Sequence, residues 1–177
     1  TGALDIDFNG FSADDAPQVT ELNLGDFSSA FTVENGDYSA TVNNAVDDFT
    51  LINSQLLSLP ENTDRTVFYY MIEEYVDEDG DGDFDEDGDG EIDEIEAKIA
   101  SVVVDNSTRE RIYEHEVKIL NLVYNEDIAR VTFYFVKSDE IIETAEARRS
   151  TTVGTAESLV LLNNTYDVYA IAEIDGN

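Results

Sequence analysis

The segment ALDIDF, residues 3–8, alternates apolar and acidic side chains along almost its whole length. Leu4, Ile6 and Phe8 would therefore share one side of a strand, because successive side chains in a strand point to opposite faces. The same period of two recurs through most of the chain outside one acidic segment, and it is the pattern of half-buried antiparallel strands. The sequence therefore predicts an all-β fold.

The remaining predicted strands are rich in Val, Ile, Leu, Tyr, Phe and Thr, the residues that favour a pleated surface. The stretch AFTVENGDYSATV, residues 30–42, predicts a hairpin that turns at Asn35 and Gly36. The stretch EIDEIEAKIA, residues 91–100, carries the best helical period and predicts one or two helical turns. Further strands are predicted at residues 19–24, 49–59, 65–76, 98–105, 116–124, 131–136, 158–162 and 166–174.

Composition limits the partners of this chain. It has 177 residues, 42% of them hydrophobic, and a formal net charge of -32 from 41 acids and nine bases. Such a field repels phosphate, so nucleic acid and anionic membranes are not expected as partners, whereas cations are. No apolar run is long enough to span a bilayer, and with no cysteine there is neither a disulfide nor a thiolate metal site. We expect an exported protein, extracellular or at the cell surface, with its leader removed.

The chain also contains an internal repeat. Residues 8–20 align without a gap over residues 120–132, so that Asn9 meets Asn121 and Asp15 meets Asp127. Further along, residues 24–42 align loosely with 153–171, which brings Gly25 over Gly154 and, after a gap of one residue, Tyr38 over Tyr166. We interpret the repeat as two β-sandwich domains. The first covers residues 1–108, including an acidic insert at 77–96, and the second covers 109–177.

The second copy is shorter than the first. Nothing in it corresponds to FTLINSQLLSLP, residues 49–60, or to RTVFYYMIEEYV, residues 65–76. We therefore expect the second domain to lack its last strands and to present an unpaired apolar sheet edge. Such an edge is a template for pairing. Either the chain continues further, or another subunit supplies the missing strand.

The repeated elements resemble the bacterial and archaeal family known as domain of unknown function 4397. The similarity lies in an opening strand that ends in Asn, a short acidic turn, a Val-Thr strand and a later Asn-and-Tyr motif. The resemblance implies tandem immunoglobulin-like β-sandwiches that are exported and often lipid-anchored, and it assigns no catalytic residues. Copy two departs from the motif because no Pro follows its Asp and Thr165 stands in place of Gly. The resemblance rests on Phe8, Asn9, Asp15, Ala16, Pro17, Val19, Gly36 and Tyr38, and on Leu120, Asn121, Asp127, Val131, Asn164 and Tyr166.

The segment DEDGDGDFDEDGDGEIDEIE, residues 77–96, contains thirteen carboxylates and no base. Its spacing fits a calcium loop with oxygen ligands at positions 1, 3, 5, 7, 9 and 12 and Gly at position 6. A loop that begins at Asp85 fills every position, with Gly90 at the turn. The predicted ligands of this loop are Asp85, Asp87, Asp89, Glu91, Asp93 and Glu96.

A second loop begins eight residues earlier and shares Asp85. Gly88 stands at its closing position, so a remote acid such as Glu73 or Glu74, or water, must complete it. This offset leaves no room for paired EF-hand helices and resembles the tandem calcium repeats of thrombospondin type 3. The alternative is a solvated acidic loop, which the strict Asp and Gly spacing disfavours. The further predicted Ca²⁺ ligands are Asp77, Asp79, Asp81 and Asp83.

No enzyme motif is found. His115 is the single histidine and has no nucleophile pattern near it, and no phosphate-binding glycine loop or zinc-protease motif occurs. We therefore expect a non-enzymatic, calcium-binding structural or adhesive protein, which self-associates or binds another surface protein and could form a fibre by strand complementation. A lipid anchor is compatible with this expectation. The alternatives are a carbohydrate-binding or hydrolytic surface protein, and a soluble calcium buffer or sensor.

Overall fold

The structure is nearly all β, as the alternation predicted. The computed structural model describes one 3-10 turn, Ile142–Thr144, and eleven strands. In chain order the strands are β1 (Leu4–Gly10), β2 (Gln18–Leu22), β3 (Gly36–Asn44), β4 (Thr50–Leu59), β5 (Arg65–Tyr75), β6 (Ile95–Asp105), β7 (Glu114–Asn121), β8 (Ile128–Lys137), β9 (Ala147–Thr151), β10 (Thr155–Leu162) and β11 (Tyr166–Ile174). The residues described are 2–10, 18–76, 95–106, 109, 111–125 and 127–174.

The chain divides into two compact units, Thr1–Arg65 and Thr66–Asn177. The predicted domain boundary at residue 108 therefore lies inside the second unit. Strand β6 contacts β10, and an added Cβ at Gly154 would meet the side chain of Tyr70 in β5. These contacts group β5 and β6 with the strands that follow them.

The first unit is one antiparallel sheet with the order β2-β1-β3-β4. In it Ile6 lies opposite Val42, and Phe8 lies opposite Ala40. All four side chains are buried, together with Leu57 of β4. The apolar side of ALDIDF thus forms the inner face of this sheet, and the intervening acids are placed on its other side.

The second unit is a sandwich built around one apolar cluster. Its sheets are β10-β7 and β11-β8-β9, with β5-β6 as a further two-stranded sheet. Ile119 of β7 and Leu161 of β10 pack with Phe135 of β8, and Phe133 and Ala147 border this cluster. Side chains of the two facing sheets therefore share a single core, as an all-β sandwich requires.

Two local predictions were wrong, and one strand was not predicted. Residues 26–34 form no strand, so Asn35 and Gly36 do not turn a hairpin; Gly36 instead begins β3. In this loop Phe31 packs edge-on against Phe8, with ring centroids 5.6 Å apart.

The predicted helical turns at residues 91–100 are replaced from Ile95 onward by β6, because this segment pairs with β5. Residues 91–94 lie outside the described residues. Strand β9, ARRST, was not predicted, because pairing with β8 rather than apolar alternation makes it a strand.

The internal repeat reappears in local geometry. Gly25 and Gly154, which align in the sequence, both adopt the left-handed backbone, with φ of +86° and +70°. The aligned tyrosines also match, because the Tyr38 hydroxyl donates to the Glu34 carbonyl at 2.8 Å and the Tyr166 hydroxyl donates to the Leu162 carbonyl at 3.1 Å. A tyrosine that bonds back to the preceding corner is a feature of immunoglobulin-like sandwiches.

The strand pairing does not follow the repeat. Strand β1 pairs with both β2 and β3. The strand that aligns with β1, β7, pairs with β10, whereas β8 pairs with β9 and β11. The two copies thus share corners and glycine turns but assemble their strands differently.

No helix among the described residues is long and apolar enough to cross a membrane.

We expect Gly154→Ala to destabilise the second unit. A left-handed backbone at this position costs an alanine about 1–2 kcal/mol of folding stability. The new Cβ would also overlap the Tyr70 hydroxyl and lie 3.2 Å from the Tyr70 Cζ atom. This clash adds about 1–3 kcal/mol to the loss. Urea unfolding measures the loss. Gly25→Ala is the matched control, because its φ is also positive but an added Cβ there meets nothing within 4 Å. Equal losses in the two variants would contradict the Tyr70 contact.

Candidate functional site

Most of the predicted calcium ligands lie outside the described residues. This holds for Asp77, Asp79, Asp81, Asp83, Asp85, Asp87, Asp89, Glu91 and Asp93, and only Glu96 is described. Within the described parts of the chain, no group of three or more His, Cys, Asp or Glu side chains is placed to hold a metal ion. The structure therefore describes the flanks of the predicted site.

These flanks are neighbouring strands of one sheet. Strands β5 and β6 pair with each other. The Lys98 ammonium group donates a hydrogen bond to the Glu74 carboxylate at 2.5 Å, and the Asn106 side-chain amide donates one to the Thr66 hydroxyl at 3.0 Å. Moving eight residues back along β5 thus corresponds to moving eight residues forward along β6, which means that the strands run antiparallel. The acidic segment is consequently the connection of a β-hairpin, and both of its ends are held by the same sheet.

Glu96 lies on β6 and is largely exposed. Its carboxylate is 3.6 Å from the Lys98 ammonium group, which also contacts Glu74. The hydrogen bond to Glu74, followed by the charge of Glu74 and the contacts with Glu96, raises the pKa of Lys98 above its usual value. The Glu at the closing position of the predicted calcium loop is therefore on a strand, beside a base. An EF-hand would place it on a helix, and the eight-residue offset of the two loops had already argued against that arrangement.

The two acids suggested for closing the first loop differ in their surroundings. The Glu74 carboxylate is engaged by Lys98. Glu73, the next residue on β5, helps line an open pocket of about 230 Å³ with Tyr75, Ile95, Tyr124, Asn125 and Asp127. Both Tyr75 and Ile95 are terminal residues of their strands. Glu73 therefore lies near the described ends of both strands that flank the acidic connection, whereas the Glu74 carboxylate is engaged by Lys98.

A second feature of functional interest is the edge strand β11. It pairs with β8 along its length and lies at the end of its sheet. Val168 lies opposite Phe135, a core residue, and is nevertheless 58% exposed. On the other face Tyr169 and Ile171 are 46% and 42% exposed. Both faces of β11 thus present apolar side chains to solvent, and the inner face is left uncovered.

The outer face of the same sheet carries a shallow, polar concavity. Its volume is about 500 Å³. Arg148 lies opposite Tyr134, and Ser150 lies opposite Thr132, whose hydroxyl is 2.7 Å from that of Ser150. Unlike Lys98 or Lys137, Arg148 has no carboxylate partner among the described residues, although the chain holds 41 acids. This surface was not predicted, because β9, which supplies Arg148, was not predicted.

Two further side chains that could transfer a proton are His115 and Tyr69. His115 is exposed on β7, opposite Leu161. Burial raises the pKa of Tyr69 to about 12, and its buried hydroxyl has no hydrogen-bond partner among the residues that the structure describes. A phenol with that pKa stays neutral near pH 7, so Tyr69 cannot act as a base there.

Comparison with known proteins gives no match: no protein-family model, curated protein or solved structure matches this chain. The resemblance to the domain of unknown function 4397 therefore stays a prediction.

We expect the acidic connection to bind calcium. Titration of Ca²⁺ into chelator-treated protein, followed by calorimetry, should give a dissociation constant of about 10⁻⁴–10⁻³ M, as in extracellular modules, and chelator should lower the melting temperature. Asp85→Asn should weaken binding in both loops, because both use this residue. Asp139→Asn, an exposed acid in a turn far along the chain, is the control and should bind as the unchanged protein does. Absence of heat with unchanged melting would contradict calcium binding.

Proposed function

We propose that this chain is a calcium-binding structural or adhesive module of the cell exterior, without enzymatic activity, whose copies join by adding a strand to β11. The observation that carries the proposal is the exposure of β11. Its inner face carries Val168, which lies in line with the core residue Phe135 yet is open to solvent.

The open inner face follows from a mismatch between the two sheets. The sheet that contains β11 has three strands, whereas the facing sheet β10-β7 has two. Ile119 and Leu161 of the smaller sheet cover Phe135 in the middle of the larger one. Apolar side chains at a sheet edge favour strand addition, because main-chain hydrogen bonds and apolar burial are then gained together.

The turn between β10 and β11 helps to order β11 before a partner strand is added to it. The Tyr166 hydroxyl bonds to the Leu162 carbonyl at the turn between β10 and β11. Nine residues of β11, from Tyr166 to Ile174, are then aligned with β8. A strand that is already ordered loses little conformational entropy when a partner pairs with it.

Calcium would act on both stability and assembly. Two copies that each carry a formal charge of -32 repel each other. Each Ca²⁺ bound at the tip of the β5-β6 hairpin would remove two negative charges, and salt at about 0.15 M screens the remainder beyond about 8 Å. The calcium-rich surroundings of an exported protein suit sites of the weak affinity expected here.

We expect the protein to form larger species as its concentration rises in calcium, and Ile171→Asp to prevent this, because a carboxylate would be desolvated at the new strand contact. Sedimentation velocity measures the species. The control is Ile141→Asp, at an isoleucine just before the 3-10 turn that is more exposed than Ile171. A monomer at every concentration, with and without calcium, would contradict the assembly.

A second candidate function is carbohydrate binding by the concavity on the outer face of the β11-β8-β9 sheet. Tyr134 offers an aromatic ring, and Arg148 offers a guanidinium group without a carboxylate partner among the described residues. We expect retarded migration in gels that contain the recognised polysaccharide, and loss of the retardation in Arg148→Ala. Lys118→Ala, a change at a base that is paired with Glu116, is the control. Unaltered migration in a panel of neutral and acidic polysaccharides would contradict this candidate.

A further inference from the structure

Strand β4 has a composition that is unusual for this protein. It is ten residues long, TLINSQLLSL, and contains no charged residue, whereas 28% of the chain is charged. Each of the other described strands contains at least one Asp, Glu, Lys or Arg. Strand β4 also lies at the end of its sheet, next to β3. It is therefore an edge strand without charged side chains.

Edge strands of soluble proteins commonly carry charges, or are short or distorted, and these features prevent pairing with other chains. The opposite edge of the same sheet, β2, is five residues long and contains Glu21, whose φ is +54°. On β4, by contrast, Leu56 is 72% exposed. Arg65 donates a hydrogen bond to the Ser58 carbonyl, which protects one end of β4 and leaves its middle without a charged side chain.

We propose that β4 of a second copy of this chain is the strand that pairs with β11. This inference rests on the function proposed above and names the partner of that edge. The lengths match, since β4 has ten residues and β11 has nine. Leu56 would be buried beside the apolar side chains of β11.

Charge distinguishes this pairing from the pairing of two β11 strands. If two copies of β11 paired antiparallel with full overlap, Asp167 of each would lie opposite Glu173 of the other, because these residues are equally far from the centre at Ala170. Like charges that lie directly opposite each other destabilise a strand pair. Strand β4 brings no charge to the contact, so neither acid of β11 meets a carboxylate there.

Pairing of β4 with β11 determines the kind of assembly that forms. Each copy contributes β4 to one neighbour and β11 to another, so the contact joins two different surfaces. Contacts of this kind continue into filaments unless the rotation between copies closes a ring. A pairing of two β4 strands would instead stop at a dimer and would leave Val168 uncovered.

The test uses the full chain with one edge disabled at a time. Leu56→Asp disables β4, and Ile171→Asp disables β11. We expect neither variant to assemble alone in calcium, and we expect an equimolar mixture to form a dimer and nothing larger, since the mixture retains one intact β4 and one intact β11. Sedimentation velocity distinguishes these species.

The control for the first variant is Val46→Asp, an exposed apolar position in the turn between β3 and β4, which should assemble as the unchanged protein does. Circular dichroism and melting curves establish that each variant is folded. A variant that unfolds is replaced by Ser54→Asp for β4 or Tyr169→Asp for β11.

Each other outcome overturns a defined part of the inference. If Ile171→Asp alone forms dimers, β4 pairs with itself. If Leu56→Asp alone still forms large species, β11 accepts some other strand, and the proposed function stands while the assignment of β4 fails. If the unchanged protein is monomeric throughout, the proposed function itself fails.

Discussion

The structure depends on burying apolar side chains in a chain that holds 41 acids, and among the described residues no Asp or Glu is buried. Alternation achieves this in ALDIDF, where Ile6 and Phe8 are buried and the intervening acids lie on the other side of the strand. The acids that do not fit this alternation are concentrated in the connection between β5 and β6. The most acidic part of the sequence thus falls between two strands that pair with each other, rather than within a strand.

The hairpin links this charge to the rest of the second unit. Lys98 joins β6 to Glu74 on β5, and Tyr70 of β5 fits against the left-handed turn at Gly154. A cation bound at the tip would reduce the repulsion within the connection and so favour the paired strands at its base. Through this route, calcium at one end of the hairpin would stabilise a sandwich whose core is built from other strands.

The edge strands β11 and β4 differ from the other described strands in their charge and in the exposure of their apolar side chains. Strand β11 has apolar side chains exposed on both faces and only two acids, and β4 has no charge at all. In a chain of this net charge, self-association must use surfaces where acids are scarce, because desolvating like charges together is costly. The pairing proposed for these strands satisfies that condition with no contribution from a basic surface.

The sequence by itself determined the class of the fold and ten of the eleven described strands. Period-two alternation and net charge are local or additive properties, which follow from the sequence alone. The match of Gly25 with Gly154 and of Tyr38 with Tyr166 also carried real information, because a left-handed turn and a tyrosine corner depend on a few neighbouring residues.

Only the tertiary structure decided which strands pair. The segment ARRST becomes β9 because it pairs with β8, and residues 95–100 form a strand because they pair with β5. Strand β4 is an edge because no other described strand pairs with it beyond β3. Neither the exposure of Val168 nor the lack of an ion pair at Arg148 among the described residues could be predicted from the sequence. Pairing and exposure depend on residues far apart in sequence, and the free energy of a strand pair is set by the neighbour that each strand meets.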